Sequence, residues 1–187
     1  MTALDQIIRS RYSCRSYDPA RPVSRADLRS VVEAARLAPS ACNSQTWRFI
    51  VVTDRVLRER ICDEAMRAVV GNPWLRDAPA VIAGASELDF TANRLGRAVT
   101  DIDYYQVDLG IAMEHMALKA AEMGLATCWI GWFKEKKIRE ILDIPGKIRV
   151  SALLALGYPK EKGNPEKVRK PLEKIAFLEK WDRPFKA

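Results

Sequence analysis

Apolar positions along this 187-residue chain recur at helical spacing in some stretches and run continuously or alternate in others, and the succession of the two sketches a fold. Thr2 and Asp5 make a capping-box pattern, after which Leu4, Ile7, Ile8 and Arg11 share one helical face, so the first helix delivers Arg11 at its end. Ser24 with Asp27 repeats the start signal. Leu28, Val31, Val32 and Ala35 then mark the buried stripe of a second helix, which cannot continue past Pro39. Trp47 to Thr53 is β-branched and aromatic enough for a strand, and Asp54 caps a following helix with Leu57, Ile61 and Ala65 inward. Ala78 to Ala85 has the length and apolarity of a buried strand, bounded by Pro79 and by Ser86-Glu87, whereas Leu88 to Asp101 has no clear period and reads as a loop or lid. The longest helix is predicted from about Asp103 to Met123. It is apolar around most of its circumference (Val107, Ile111, Met113, Leu118, Ala121), which predicts a central or subunit-interface position, with Gly124 as its stop. Ile138, Ile141 and Leu142 mark another helix, and Val150 to Leu156 a strand ended by Gly157-Tyr158-Pro159. Helices interspersed with about four strands predict an α+β or α/β sheet protein, two classes that periodicity alone does not separate.

Composition narrows this picture. With 48% hydrophobic residues and no Pro/Gly/Ser-rich linker, residues 1–187 read as one domain with one sizeable core. No apolar run reaches the length of a signal or membrane segment, so a soluble cytoplasmic protein is expected. Cys14, Cys42, Cys62 and Cys128 form no C-x-x-C pair, which removes zinc knuckles and thioredoxin-like chemistry and fits reduced thiols. His115 is the only histidine, leaving no basis for a His-based metal site or a Ser-His-Asp triad; a structural role on its helix is expected, and no metal. The net charge of +7 is compatible with nucleic acid, a membrane surface or an anionic small molecule. Its distribution argues against nucleic acid. From Lys134 to Lys147 and from Lys160 to Lys174 the cations alternate with Glu135, Glu140, Asp143, Glu161, Glu166 and Glu173, as on solvated mixed-charge faces.

Three segments carry candidate chemistry. In Arg11-Tyr12-Ser13-Cys14-Arg15 an extended backbone places Arg11, Ser13 and Arg15 on one face, a seat for phosphate or another oxyanion; taken alone, the run reads better as a solvated basic turn after a helix. The run Pro39-Ser40-Ala41-Cys42-Asn43-Ser44-Gln45-Thr46-Trp47 sets polar side chains between a helix end and a strand, although Asx and Ser turns capping their own backbone give the same pattern. Cys42 there faces either a substrate or the interior. Gly124-Leu125-Ala126-Thr127-Cys128-Trp129-Ile130-Gly131 ends on a glycine whose backbone a flat ring can approach, or is simply a buried strand closed by a turn. Lys167 and Arg169 form a further small cationic cluster, a pattern often merely solvated.

Read together, in this order and spacing, the segments resemble the FMN-dependent nitroreductase family over nearly the whole chain. The resemblance implies an α+β sandwich with a mixed central β-sheet, in an intertwined homodimer with cofactors at the interface and a C-terminal arm, about residues 164–187, over the partner. The ring-bearing tail Phe177 to Phe185, too short to bury itself, agrees. By the family pattern Arg11 and Ser13, with Tyr12 between them, match positions near the FMN phosphate and ribityl chain, and Arg15 matches the basic residue near flavin N1 and the C2 carbonyl. Pro39, Ser40, Asn43 and Gln45 match flavin contacts, some made from the neighbouring subunit. Thr46 stands where the family usually has proline, which loosens the approach to Trp47. Trp129 and Ile130 line the flavin, Gly131 brings a backbone N–H towards N5, and Lys167 and Arg169 close on the phosphate.

The implied activity is ping-pong hydride transfer from NADH or NADPH through FMN to an electron-poor acceptor: a nitroaromatic, a quinone or a flavin. No side chain needs to act as acid, base or thiol nucleophile, the flavin N5 being the reacting centre. A dehalogenase-type flavoenzyme on the same fold, and a non-catalytic flavin- or nucleotide-binding module serving as sensor or store, remain alternatives. Pocket walls between Leu88 and Tyr105, with Trp132 and Phe133, are expected to select the acceptor.

Overall fold

A computed structural model of the protein describes residues 1–66, 71–88, 101–161, 163 and 167–185. Its helices are α1 (Ala3–Ser10), α2 (Arg25–Arg36), α3 (Arg55–Arg60), α4 (Tyr104–Glu122) and α5 (Glu135–Ile141), and its strands β1 (Trp47–Val52), β2 (Ala80–Glu87), β3 (Ala126–Ile130) and β4 (Ile148–Gly157). The start signals act as expected. Thr2 Oγ1 accepts from the Asp5 N–H while the Asp5 carboxylate accepts from the Thr2 N–H, and the Ser24 and Asp54 side chains accept from the N–H groups of Asp27 and Leu57.

The strands form one sheet in the order β1-β2-β4-β3. Alternation along β2 and β4 divides the interior in two: Val81, Ala83, Ala85, Leu153 and Ala155 face one hydrophobic cluster, and Ala80, Ile82, Ala152, Leu154 and Leu156 face the other. Ile61, Ala65 and Met66 with Ile138 and Ile141 of α5 fill the first cluster; α2 and α4 fill the second. The result is an α+β sandwich. At the tightest point between α4 and the sheet, Gly84 leaves room for Met113 and Leu109, into which an added Cβ would push. His115 spans α4 and α2, its Nδ1 lying 3.2 Å from the Ala34 carbonyl oxygen, which is the structural role expected of it.

Some boundaries differ from the sequence reading. Strand β2 runs from Ala80 to Glu87 rather than from Ala78 to Ala85. Pro79 stays outside, and the polar pair Ser86-Glu87 stays in, because both find ladder partners in β4 and Ser86 also in β1. The helix expected after Asp54 is a six-residue α-helix followed by a π turn, Ile61–Met66. All three ladders of the sheet are antiparallel; the parallel component among the described residues is a single bridge, Ser13 to Thr127. The expected lid falls, over 89–100, outside the described residues. None of the described helices is long and apolar enough to cross a membrane.

Candidate functional site

At the C-cap of α1 the chain turns extended at Arg11 (φ −61°, ψ 128°) and lies against β3: Ser13 bridges Thr127, and the Cys14 N–H donates to the Thr127 carbonyl at 2.9 Å. Alternation then decides which side chains are offered. Cys14 turns into the core (2% exposed), while Ser13 and Arg15 are exposed and Arg11 is half-buried beside α4. The shared outer face expected for Arg11, Ser13 and Arg15 is present.

Positive charge accumulates at the Arg11 end. Arg11 Nε lies 3.4 Å from Glu114 Oε1, and Lys167 Nζ donates to the Ile8 carbonyl at 2.5 Å. Burial holds the Lys167 ammonium below the usual lysine range, and the neighbouring charges of Arg11 and Arg169 push it further down, with Glu114 opposing. Four cations, Lys167, Arg11, Arg169 and, more weakly, Arg9, thus gather around one site, with the Glu114 carboxylate beside them. A dianion would be stabilised there by charge-assisted bonds.

Two cavities succeed one another along the paired segments. The first, about 310 Å³, is lined by Ser10, Arg11, Tyr12, Gly124, Thr127 and Gly163 among others. Thr127, 2% exposed, has a hydroxyl with no hydrogen-bond partner among the described residues. The second cavity, about 270 Å³, is lined by Arg15, Asn72, Trp74 and Cys128 to Trp132. A Cβ built on Gly131 meets nothing within 4 Å, so its backbone faces open space. The Cys128 thiol is pushed up by burial, with Arg15 countering, and burial likewise raises the Tyr12 phenol. At neutral pH both groups stay protonated and uncharged, and Cys128 is no nucleophile.

The third segment sits apart. Between α2 and β1 the 40–46 loop makes a short turn, Ala41–Asn43, in which Cys42, Asn43 and Gln45 all take positive φ (51°, 54°, 46°). Ser40 Oγ accepts from the Gln45 N–H at 3.1 Å, and Gln45 Nε2 donates to Asn43 Oδ1 at 3.1 Å. Pro39, Asn43 and Gln45 are exposed, as is Cys42, so the interior alternative for that thiol is set aside. Within one chain the structure places Arg11 and Tyr12 in the wall of the first cavity, with Lys167 and Arg169 near Arg11, and Arg15, Trp129, Ile130 and Gly131 in the wall of the second; Ser13 lines neither. Pro39, Ser40, Asn43 and Gln45 line neither cavity.

Four residues beside these segments escaped the sequence reading: Asn72 and Trp74 in the second cavity, Glu114 beside Arg11, and Asp108, which accepts from the Ala41 N–H at 3.0 Å. Asp108 carried a signal, being a carboxylate next to Leu109 in an apolar helix.

The model of the Nitroreductase family matches residues 8–71 and 64–158. The chain belongs to that family. Among its nitroreductase relatives, an NADH dehydrogenase of Thermus thermophilus is 30% identical over 83% of this chain and 86% of the relative, and an oxygen-insensitive NADPH nitroreductase of Helicobacter pylori is 24% identical over 92% and 95%. An FMN-dependent nitroreductase of Clostridium difficile superposes with a TM-score of 0.78 at 26% identity, covering 94% of this chain and 98% of the other. The nitroreductase fold here thus extends beyond the matched region into the C-terminal segment.

Proposed function

We propose that this protein is an FMN-dependent oxidoreductase that uses NADH or NADPH to reduce an electron-poor acceptor, a nitroaromatic, a quinone or a flavin. The observation that carries the reading is the cluster of Arg11, Lys167 and Arg169 beside the first cavity, with Arg15 and the open backbone of Gly131 in the second, further along the same paired segments. A phosphate monoester joined to a flat ring has this polarity. Arg11, Lys167 and Arg169 hold the phosphate, and Ser13 faces the polar chain that follows, next to Thr127, whose hydroxyl has no hydrogen-bond partner among the described residues. Arg15 sets a positive charge where the ring gains negative charge on reduction, and Gly131 admits the ring edge without a Cβ in its way. When bound, FMN supplies the hydride chemistry; the protein binds, orients and excludes water.

The loop residues Pro39, Ser40, Asn43 and Gln45 contribute to the cofactor of a second copy. In support, α4 carries an exposed apolar stripe (Tyr104, Val107, Ile111), α1 exposes Leu4 and Ile8, and the tail exposes Ile175, Leu178 and Trp181, the last at 81%. Between α2 and β1 a groove of about 540 Å³ has Leu28, Val32, Trp47 and Phe49 in its wall and Arg25 and Arg29 on its rim, an acceptor for the partner's arm with its apolar rings and Glu179.

Titrating apo-protein with FMN and following flavin fluorescence tests the assignment. Arg11→Ala and Arg169→Ala should each raise the Kd about ten- to a hundred-fold, each removing one charge-assisted contact. Unchanged affinity in both variants would contradict the phosphate seat.

A further inference from the structure

Asp108 is 4% exposed on the core-facing side of α4, between residues that pack against α2 and the sheet. Burying a carboxylate there costs stability unless hydrogen bonds or a paired charge offset it, so an apolar residue would pack there at less cost. Its recorded partner is the Ala41 N–H, at 3.0 Å, which opens the 40–46 loop. That loop needs an anchor. Three of its residues hold left-handed φ with full side chains, and its remaining bonds are mostly its own: Asn43 N–H to the Ser40 carbonyl, Ser44 N–H to the Ala41 carbonyl, and Gln45 N–H to Ser40 Oγ. The rear of the loop is tied to the sheet through Glu87 N–H and the Thr46 carbonyl. At the front, Ala41 to Asp108 ties it to α4.

Six residues further along α4 stands Glu114, beside Arg11. At about 1.5 Å per residue the two carboxylates are roughly 9 Å apart along one rigid helix, and about 120° apart around it. One element therefore registers the arginine segment on one flank and the loop on another. We infer that Asp108 is a positioning residue: it holds the 40–46 loop in the shape from which Ser40, Asn43 and Gln45 reach a cofactor. The inference rests on the reading of those side chains as flavin contacts.

Two measurements on the full-length protein test it: hydrogen exchange of the loop amides without cofactor, and the FMN Kd. Asp108→Ala should speed exchange of the Ala41 amide and raise the Kd, each by about tenfold or more. Asp108→Asn keeps an oxygen that can accept from Ala41, and should keep both values within a few-fold of wild type. Ala41→Pro deletes the donor and leaves the carboxylate. Ser40 is already extended (φ −141°, ψ 154°) and residue 41 opens the short turn, so proline fits, and this variant should reproduce the affinity loss of Asp108→Ala even if the latter fails to fold. A loosened loop with unchanged FMN affinity would overturn the inference, as would an Asp108→Asn protein as impaired as Asp108→Ala. A wild-type protein that binds no FMN would instead strike the cofactor reading, and the exchange data would still decide the anchoring.

Discussion

Thr46 and Lys167 show how single groups report on the site. Thr46 is buried, and its hydroxyl has no hydrogen-bond partner among the described residues, so its role beside the loop is one of shape. Thr46→Val keeps the shape and removes the unpaired group; it should raise stability by about 1 kcal/mol, seen as a higher urea midpoint at unchanged slope. A lower midpoint would mean the hydroxyl has a partner. Lys167 is held below the usual lysine range by burial and then by Arg11 and Arg169. Because its folded value is depressed, the unfolded chain binds more protons between that value and the usual lysine one. Stability of the apo-protein should therefore rise with pH across that alkaline window, and Lys167→Met should flatten the rise. Adding FMN supplies the missing negative charge, so the Lys167 titration followed by NMR should move up. A Lys167 value indifferent to FMN would place the phosphate elsewhere.

At the scale of elements, β3 and the 11–15 segment are the pair on which the proposed flavin site rests, and Gly131 at their end is the position where function and stability are expected to separate. Since a Cβ there meets nothing within 4 Å, Gly131→Val should leave the apo-protein about as stable as wild type, yet weaken FMN binding or slow its reduction by NADH. Normal affinity with normal reduction kinetics would remove Gly131 from the ring edge. Much of this pair was legible in the sequence, because alternation at Arg11, Ser13 and Arg15 and the stop signals at Pro39 and Gly124 are local. What escaped was set by partners distant along the chain. The end of β2 depends on the β4 and β1 ladders that keep Ser86 and Glu87 paired, and the π turn at Ile61 interrupts a pattern that keeps helical spacing. Asp108 was visible as a misplaced carboxylate, but its donor, Ala41, lies 67 positions away. The polar loop was legible as a run of hydrogen-bonding side chains; that it lines neither cavity of its own chain was not, since this depends on how distant segments pack.

For the whole molecule, the sandwich supplies one rigid helix, α4, that touches the arginine segment and the loop and itself carries the exposed apolar stripe. A site divided between two copies follows if those apolar surfaces are covered by a second chain, and Cys62 and Cys128 need no chemical part in it, since burial raises both away from the thiolate form. The claim beneath all of this is that a flavin held here takes reducing equivalents from a reduced nicotinamide. The direct measurement is an anaerobic titration of the FMN-loaded wild-type protein with NADH and, separately, NADPH, following the visible flavin absorbance. The account predicts that at least one of them bleaches the bound flavin and that a nitroaromatic or quinone then restores the colour; bound flavin that neither nicotinamide bleaches would contradict it and leave a protein that binds FMN without turning it over.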